Sequence, residues 1–236
     1  SKIKEQINPS MQVTLSDKDF DYLDSNKKEF VKTVLPIIIN ENQNILMIRS
    51  FVNELKGKLE TFRTLNNNEI RKLNDIAQKY NIKYQNKHKL DLVDEILSNV
   101  DVIPNSIVLA QAAIESGWGK SRFAKEYNAL FGEYTYDDSE GVIPLERENG
   151  DTHLIKAFSS YSNSVESYFD NINSHYAYEE FRDIRNIMRK RNNFSNVNLL
   201  VNKLSTYAED ENYIKTIRQV IKTNNFSIFD QKTISY

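Results

Sequence analysis

Pro104-Asn105-Ser106, followed by Ile107-Val108-Leu109-Ala110-Gln111-Ala112-Ala113-Ile114, is the stretch that most restricts how this chain can fold. A proline-led entry of this kind is a helix-start signal. The residues that follow are apolar on nearly every side. A helix with no wet face belongs in the middle of a molecule, with other elements packed around it. The run ends at Glu115-Ser116-Gly117-Trp118-Gly119, where Gly117 suits the left-handed position that closes a helix.

The flanking patterns are helical as well. Ser25 and Asn26 can cap a helix that starts near Lys27, with Phe30, Val31, Val34 and Leu35 on one face. Pro36 is expected to kink or stop it, because proline lacks a donor and clashes with the preceding turn. Ile45, Ile48, Val52, Leu55 and Leu59 recur at spacings of three and four, the pattern of an amphipathic packing helix. Further helices are expected over residues 68–80, 89–100, 121–127, 164–174, 178–191, 197–204 and 212–223. Residues 1–25 read as a polar arm. Between 130 and 158 the character changes. Tyr134, Thr135, Val142, Ile143, Thr152, Leu154 and Ile155 favour strands, and Asn149-Gly150 is a two-residue hairpin turn. That loop sets Leu145 opposite Leu154 and Glu146 opposite His153. With 6 glycines and 4 prolines in 236 residues, a many-turned β sandwich is disfavoured. The expected class is mainly α with one inserted β hairpin.

Charge and composition remove several function classes. The formal net charge is −2, so no basic excess points to nucleic acid. Arg189-Lys190-Arg191 reads as a solvated helix end. No apolar stretch of about 18 residues is present, so no transmembrane segment is expected. Without cysteine there are no disulfides or thiolate metal sites. His88, His153 and His175 are scattered, and none lies in a His-Glu-x-x-His pattern. No metal and no cofactor is expected. The chain begins at Ser1 and not Met, as it would after removal of a leader or anchor, and equally if it had been trimmed from a longer sequence.

Glu115 is the most informative position. It lies one step beyond the buried run and just before the glycine turn. A carboxyl placed there is partly desolvated, which disfavours its charged form. An acid still protonated near neutral pH can give a proton to a leaving glycosidic oxygen. The bland alternative is a carboxylate that caps or salt-bridges the helix end, although the helix dipole slightly disfavours acid in a last turn. Trp118, the single tryptophan, can offer an apolar wall or a sugar-stacking face. Ser116 has no Ser-His-Asp order to make it a nucleophile.

Four ordered motifs carry a resemblance. They are Leu109-Ala110-Gln111-Ala112-Ala113-Ile114-Glu115-Ser116-Gly117-Trp118-Gly119-Lys120-Ser121, Tyr127-Asn128-Ala129-Leu130-Phe131-Gly132, Phe158-Ser159-Ser160-Tyr161-Ser162-Asn163-Ser164 and Tyr207-Ala208-Glu209-Asp210-Glu211-Asn212-Tyr213. Together they resemble the glucosaminidase domain of Bax-type proteins and flagellar peptidoglycan hydrolases, over roughly residues 104–222. Phe30-Val31-Lys32-Thr33-Val34-Leu35-Pro36-Ile37-Ile38 resembles the N-terminal extension of the Bax-type subgroup. The chain departs from the family at Asp210-Glu211, where Asp-Pro is common. The resemblance implies a lysozyme-like fold, with residues 1–100 as a helical extension packed on a catalytic domain at 101–236. It implies cleavage of β-1,4 linkages of N-acetylglucosamine in peptidoglycan glycan strands, with Glu115 as the catalytic acid and Tyr207 lining the site. Trp118, Asn128, Phe131, Gly132, Tyr161 and Tyr213 are the implied substrate-binding residues. A periplasmic or extracellular location at the cell wall follows from that substrate.

Glycosidases of this kind usually use two carboxylates. The hairpin offers Glu133, Asp137, Asp138, Glu140, Glu146 and Glu148. Resemblance to the flagellar-type relatives favours Glu146; Glu140, a substrate acetamide or a positioned water are the alternatives. Two other functions stay open at this point. A lytic transglycosylase shares a single glutamic acid on a similar fold, and a glycan-binding module would keep the groove and its exposed aromatics, Trp118, Tyr134, Tyr136 and Tyr161, without turnover.

Overall fold

A computed structural model describes residues 15–144 and 150–230 of the chain. The helices are α1 (Ser25–Glu60), α2 (Asn67–Lys79), α3 (Lys89–Asn99), α4 (Asn105–Ser116), α5 (Arg122–Tyr127), α6 (Tyr161–Ser174), α7 (Glu179–Lys190), α8 (Val197–Val201) and α9 (Tyr213–Thr223). Short 3-10 turns lie at Asp17–Phe20, Tyr176–Tyr178, Asn202–Tyr207 and Phe226–Phe229. Three short strands, β1 (Tyr134–Thr135), β2 (Gly141–Val142) and β3 (Leu154–Lys156), are inserted between α5 and α6. The molecule is mainly α with a small β flap.

Helix α4 is central. Ten of its twelve residues are buried, and it packs against α1, α9 and the Phe226–Phe229 turn. Its polar groups are matched inside the protein, as burial requires. Asp230 accepts from the Ser106 amide at 2.7 Å and the Ser106 hydroxyl at 2.6 Å, which closes the N-terminal end of the helix. Asn42 of α1 donates to Asn105 at 2.9 Å, and Asn105 donates to the Phe229 carbonyl at 3.0 Å. One continuous apolar core runs from Phe20 to Phe229, so the N-terminal helices and α4 share it.

Helix α1 differs from expectation. It starts at Ser25, with Asp24 as the cap, and runs unbroken through Pro36 to Glu60. The physical reason lies in where the ring falls. Pro36 and Lys32, whose carbonyl loses its partner, are both exposed, so water can serve that carbonyl. Val34, Leu35, Ile38 and Ile39 are buried on the other side and hold the helix across the break. The arm reading also needs correction. Residues 1–14 lie outside the described residues, but Phe20 is buried and its ring meets Phe229 at 5.9 Å.

The β region also departs from a simple hairpin. β3 is the central strand, antiparallel to β1 on one side and β2 on the other. Val142 lies opposite Ile155, whereas a two-residue Asn149-Gly150 loop would put Pro144 there. Leu154 lies opposite Thr135 of β1; Leu145 and Glu146, expected opposite Leu154 and His153, lie outside the described residues. Two features select this register. Leu154 is buried over Gly141, where a Cβ would come within 2.5 Å of its Cβ. Pro144 has no N–H for a ladder, so pairing ends before it.

Ahead of α4, Asp101 ties three helices together. Its carboxylate is fully buried and takes two hydrogen bonds from Arg189 of α7, at 2.9 and 2.6 Å, with Arg49 of α1 at 3.4 Å. Its carbonyl accepts from Arg185 of α7 at 3.0 Å and Asn173 of α6 at 3.2 Å. Burial pushes this carboxyl up, but Arg49, Arg189 and Arg185 together hold it below the usual aspartate range. A folded-state pKa below the unfolded one adds stability that is present at neutral pH and lost on acidification. Asp101→Asn is expected to leave buried guanidinium groups without their counter-charge and to cost about 3–5 kcal/mol at neutral pH. Urea unfolding at pH 7 and in acid checks this: the gap between wild type and variant narrows as pH falls.

Candidate active site

The site is built where α4 ends. Ser116 donates to the Ala112 carbonyl at 2.6 Å and accepts from the Gly119 amide at 2.9 Å, so its hydroxyl braces the turn. Gly117, Trp118 and Gly119 all have positive φ. A bulky residue rarely adopts that conformation. Trp118 is held there by packing: its ring meets Phe30 at 5.6 Å and Phe226 at 6.0 Å, with the Lys27 ammonium 4.9 Å from its centre. This corrects the reading of Trp118 as an exposed aromatic, because it is half-buried in the wall behind the turn. Tyr161, at the start of α6, is also half-buried; its hydroxyl lies 3.8 Å from where a Gly119 Cβ would sit.

Glu115 is half-buried on the last turn of α4. Burial pushes its carboxyl above the usual glutamate range, and a hydrogen bond from the Tyr213 hydroxyl offsets part of that shift. Tyr213, on α9, accepts from Gln111 at 3.1 Å, and Gln111 accepts from Tyr168 of α6. A buried relay of hydrogen bonds therefore runs from Tyr168 through Gln111 and Tyr213 to the acid. Every member of it is on a packed helix, which fixes the carboxyl's orientation.

Gly132 closes the other side. Its φ is +63°, and a Cβ there would lie 3.0 Å from Glu115 Oε2. Only glycine lets the backbone come this close in that conformation. Phe131 is buried and stacks on Tyr168 at 4.3 Å, and its carbonyl accepts from the Tyr207 hydroxyl at 2.9 Å. Tyr207 lies parallel to Tyr213, with ring centres 5.9 Å apart. Tyr207 thus holds the segment that carries Gly132, while Tyr213 touches the acid itself. Asn128 ends α5 and donates to the Phe158 carbonyl at 3.0 Å, joining that helix to the end of the flap.

Of the residues singled out from sequence, the structure gathers Glu115, Gly132 and Tyr213 around one carboxyl. Phe131 and Tyr207 stand directly behind Gly132. Trp118, Tyr161 and Asn128 brace the surrounding turns. Glu146 and Glu148 lie outside the described residues. Asp137, Asp138 and Glu140 are exposed; Asp137 is occupied by Ser139, and Glu140 stands 3.9 Å from Lys156. One residue escaped the sequence reading. Tyr178 is buried, with its ring 6.1 Å from Tyr207; periodicity carries no signal for it. Glu133, one of the hairpin acids considered as a second carboxylate, has a carboxyl oxygen sealed from solvent.

The family described as "Glucosaminidase: Mannosyl-glycoprotein endo-beta-N-acetylglucosaminidase" matches residues 90–226. The chain is similar to Protein bax of Escherichia coli (strain K12), at 32% identity over 77% of this chain and 63% of that protein. It is also similar to Peptidoglycan hydrolase FlgJ of Escherichia coli O157:H7, at 35% identity over 35% of this chain and 29% of that protein. The chain therefore spans less than two thirds of the length of either relative. Among solved structures, the catalytic domain of the autolysin Auto from Listeria monocytogenes aligns at 15% identity with a TM-score of 0.49, covering 96% of this chain and 97% of that one.

Gly132→Ala is expected to lose roughly 1–2 kcal/mol from the left-handed backbone alone. The added methyl should also displace the Glu115 side chain. Chemical unfolding measures the first effect and a crystal structure of the variant the second.

Proposed function

This chain belongs to the glucosaminidase family whose match spans residues 90–226, and from that premise we propose that it hydrolyses β-1,4 linkages of N-acetylglucosamine in peptidoglycan glycan strands, with Glu115 as the general acid. The observation that carries the reading is the half-buried Glu115 carboxyl, kept above the usual glutamate range and oriented by Tyr213. A carboxyl shifted in that direction keeps its proton to higher pH than an ordinary glutamate, which is what donation to a leaving sugar oxygen requires. The step moves the Glu115 proton to the glycosidic oxygen as its bond to the anomeric carbon breaks; water then adds its hydroxyl to that carbon, and the proton it releases restores the Glu115 acid. Tyr213 donates to Glu115 more strongly once the carboxylate has formed, so it favours the product side of the transfer.

The relative whose printed name includes "peptidoglycan hydrolase" supports the substrate class. That substrate implies a location in the periplasm or at the cell wall. Among the described residues, no helix is long and apolar enough to cross a membrane. Residues 1–100 act as a helical extension that backs the catalytic domain at 101–236, with α1 packed directly on α4 and α6. The lysozyme-like assignment belongs to the same reading. Glycan strands are the partner; the acid chemistry itself requires no cofactor.

Purified peptidoglycan digested by wild type and Glu115→Gln tests this, with circular dichroism confirming the fold. The variant is expected to lose about 10²–10⁴-fold in rate. Fragment masses should show hydrated N-acetylglucosamine reducing ends. Anhydro ends would instead identify a lytic transglycosylase, and wall binding without fragments a glycan-binding module. A folded Glu115→Gln variant with full activity would remove Glu115 from its role.

A further inference from the structure

Glu133 stands where the β flap leaves the helical body. It follows Gly132, whose position against Glu115 is described above, and precedes β1. Covalent geometry alone keeps its Cα within about 8 Å of Glu115 Oε2. On the flap side, its carbonyl accepts from the Lys156 amide of β3 at 2.8 Å. On the body side, its Oε2 accepts from the Ser167 hydroxyl of α6 at 2.6 Å. Its Oε1 is sealed from solvent and has no hydrogen-bond partner among the described residues.

This is an unusual place for a carboxylate. A buried acceptor without a donor is costly, and an ionised one costs more than a neutral one. Burial accordingly pushes Glu133 above the usual glutamate range, against the pull of Ser167 and the Lys156 ammonium. The other groups that feel its charge are the hydroxyls of Tyr168, Tyr178 and Tyr207. The last two also feel Glu115, so the acid and Glu133 border one wall of tyrosines. Immediately beyond Glu133, Tyr134 and Tyr136 are 64% and 77% exposed, the two open aromatic faces of the flap.

We propose that Glu133 is a positioning residue whose buried carboxyl latches the flap to α6, holding Gly132 against Glu115 on one side and presenting Tyr134 and Tyr136 to the glycan on the other. The inference rests on the glycan-hydrolase reading and adds to it a residue that controls glycan binding. When Glu133 ionises, the sealed oxygen carries charge without a hydrogen-bond donor, and the Lys156 ammonium offsets only part of that cost. The carboxylate is then drawn toward water, the Ser167 contact breaks, and the flap loosens. Glycan binding should weaken as pH rises through the titration of Glu133.

Binding can be read without turnover in a Glu115→Gln background, which also removes the titration of Glu115. Calorimetry with soluble peptidoglycan glycan fragments would compare E115Q with E115Q/E133Q between about pH 5 and about pH 8. In E115Q the dissociation constant is expected to rise with pH, by up to about tenfold for each unit by which binding shifts the Glu133 pKa. In E115Q/E133Q it should stay flat, because Gln is a neutral isostere that keeps an acceptor for Ser167. E115Q/S167A, which removes the body side of the latch, should bind more weakly than E115Q and covers the case of a double variant that does not fold. A pH-independent dissociation constant in E115Q, or the same pH dependence in E115Q/E133Q, would overturn the latch while leaving the hydrolase reading intact. Failure of every variant to bind glycan, together with wild type that releases no fragments, would overturn the reading beneath it.

Discussion

The enclosure of α4 is the constraint from which the other features follow. A helix with no wet face must satisfy each of its polar groups from neighbouring elements. Asp230 serves Ser106, Asn42 and the Phe229 carbonyl serve Asn105, and Tyr168 and Tyr213 serve Gln111. These partners come from four parts of the chain, so burying one helix locates α1, α6, α9 and the C-terminal turn together. Upstream, Asp101 does the same for α1 and α7 through its carboxylate and for α6 through its carbonyl. The end of α4 is therefore a rigid point, and Glu115 inherits that rigidity.

A carboxyl at such a point has limited access to water, and its acidity is set by what else is near. Tyr213 supplies one donor, which orients the group without fully offsetting its desolvation. The Gly132 backbone takes the place a side chain would otherwise fill. Rigid floor and β flap differ in how they are held. The floor is a continuous apolar core, whereas the flap has three strands of two or three residues. Its attachment to the helical body includes Asn128 to Phe158 and Ser167 to Glu133. That contrast suits a site in which the proton donor stays fixed while the sugar-facing element adapts.

Much of the helical frame was legible because periodicity reports directly on burial. The expectations over 68–80 and 89–100 meet helices at Asn67–Lys79 and Lys89–Asn99, and the apolar run is the buried helix it looked to be. Pro36 misled because a local rule about proline takes no account of which face the ring lies on. The flap register misled because Asn149-Gly150 is a strong turn signal in isolation. Leu154 over Gly141 and the missing donor of Pro144 are contacts between strands, and these decided the pairing. Motif resemblance brought out Glu115, Gly132 and Tyr213, which do meet. It also brought out Trp118 and Asn128, which brace the turns around that carboxyl. The sealed oxygen of Glu133 depends on α6 folding back onto the flap, a long-range event invisible in the residues around position 133.

The central claim is that the half-dry end of α4 keeps Glu115 protonated where an ordinary glutamate has already ionised. Carbon-13 NMR of the Glu115 side-chain carboxyl, assigned by its loss in Glu115→Gln and followed through a pH titration of the folded protein, measures this directly. The account predicts a midpoint clearly above the ordinary glutamate value of about 4.3. A midpoint at or below that value would show a carboxylate already charged at working pH, and would contradict the assignment of Glu115 as the proton donor.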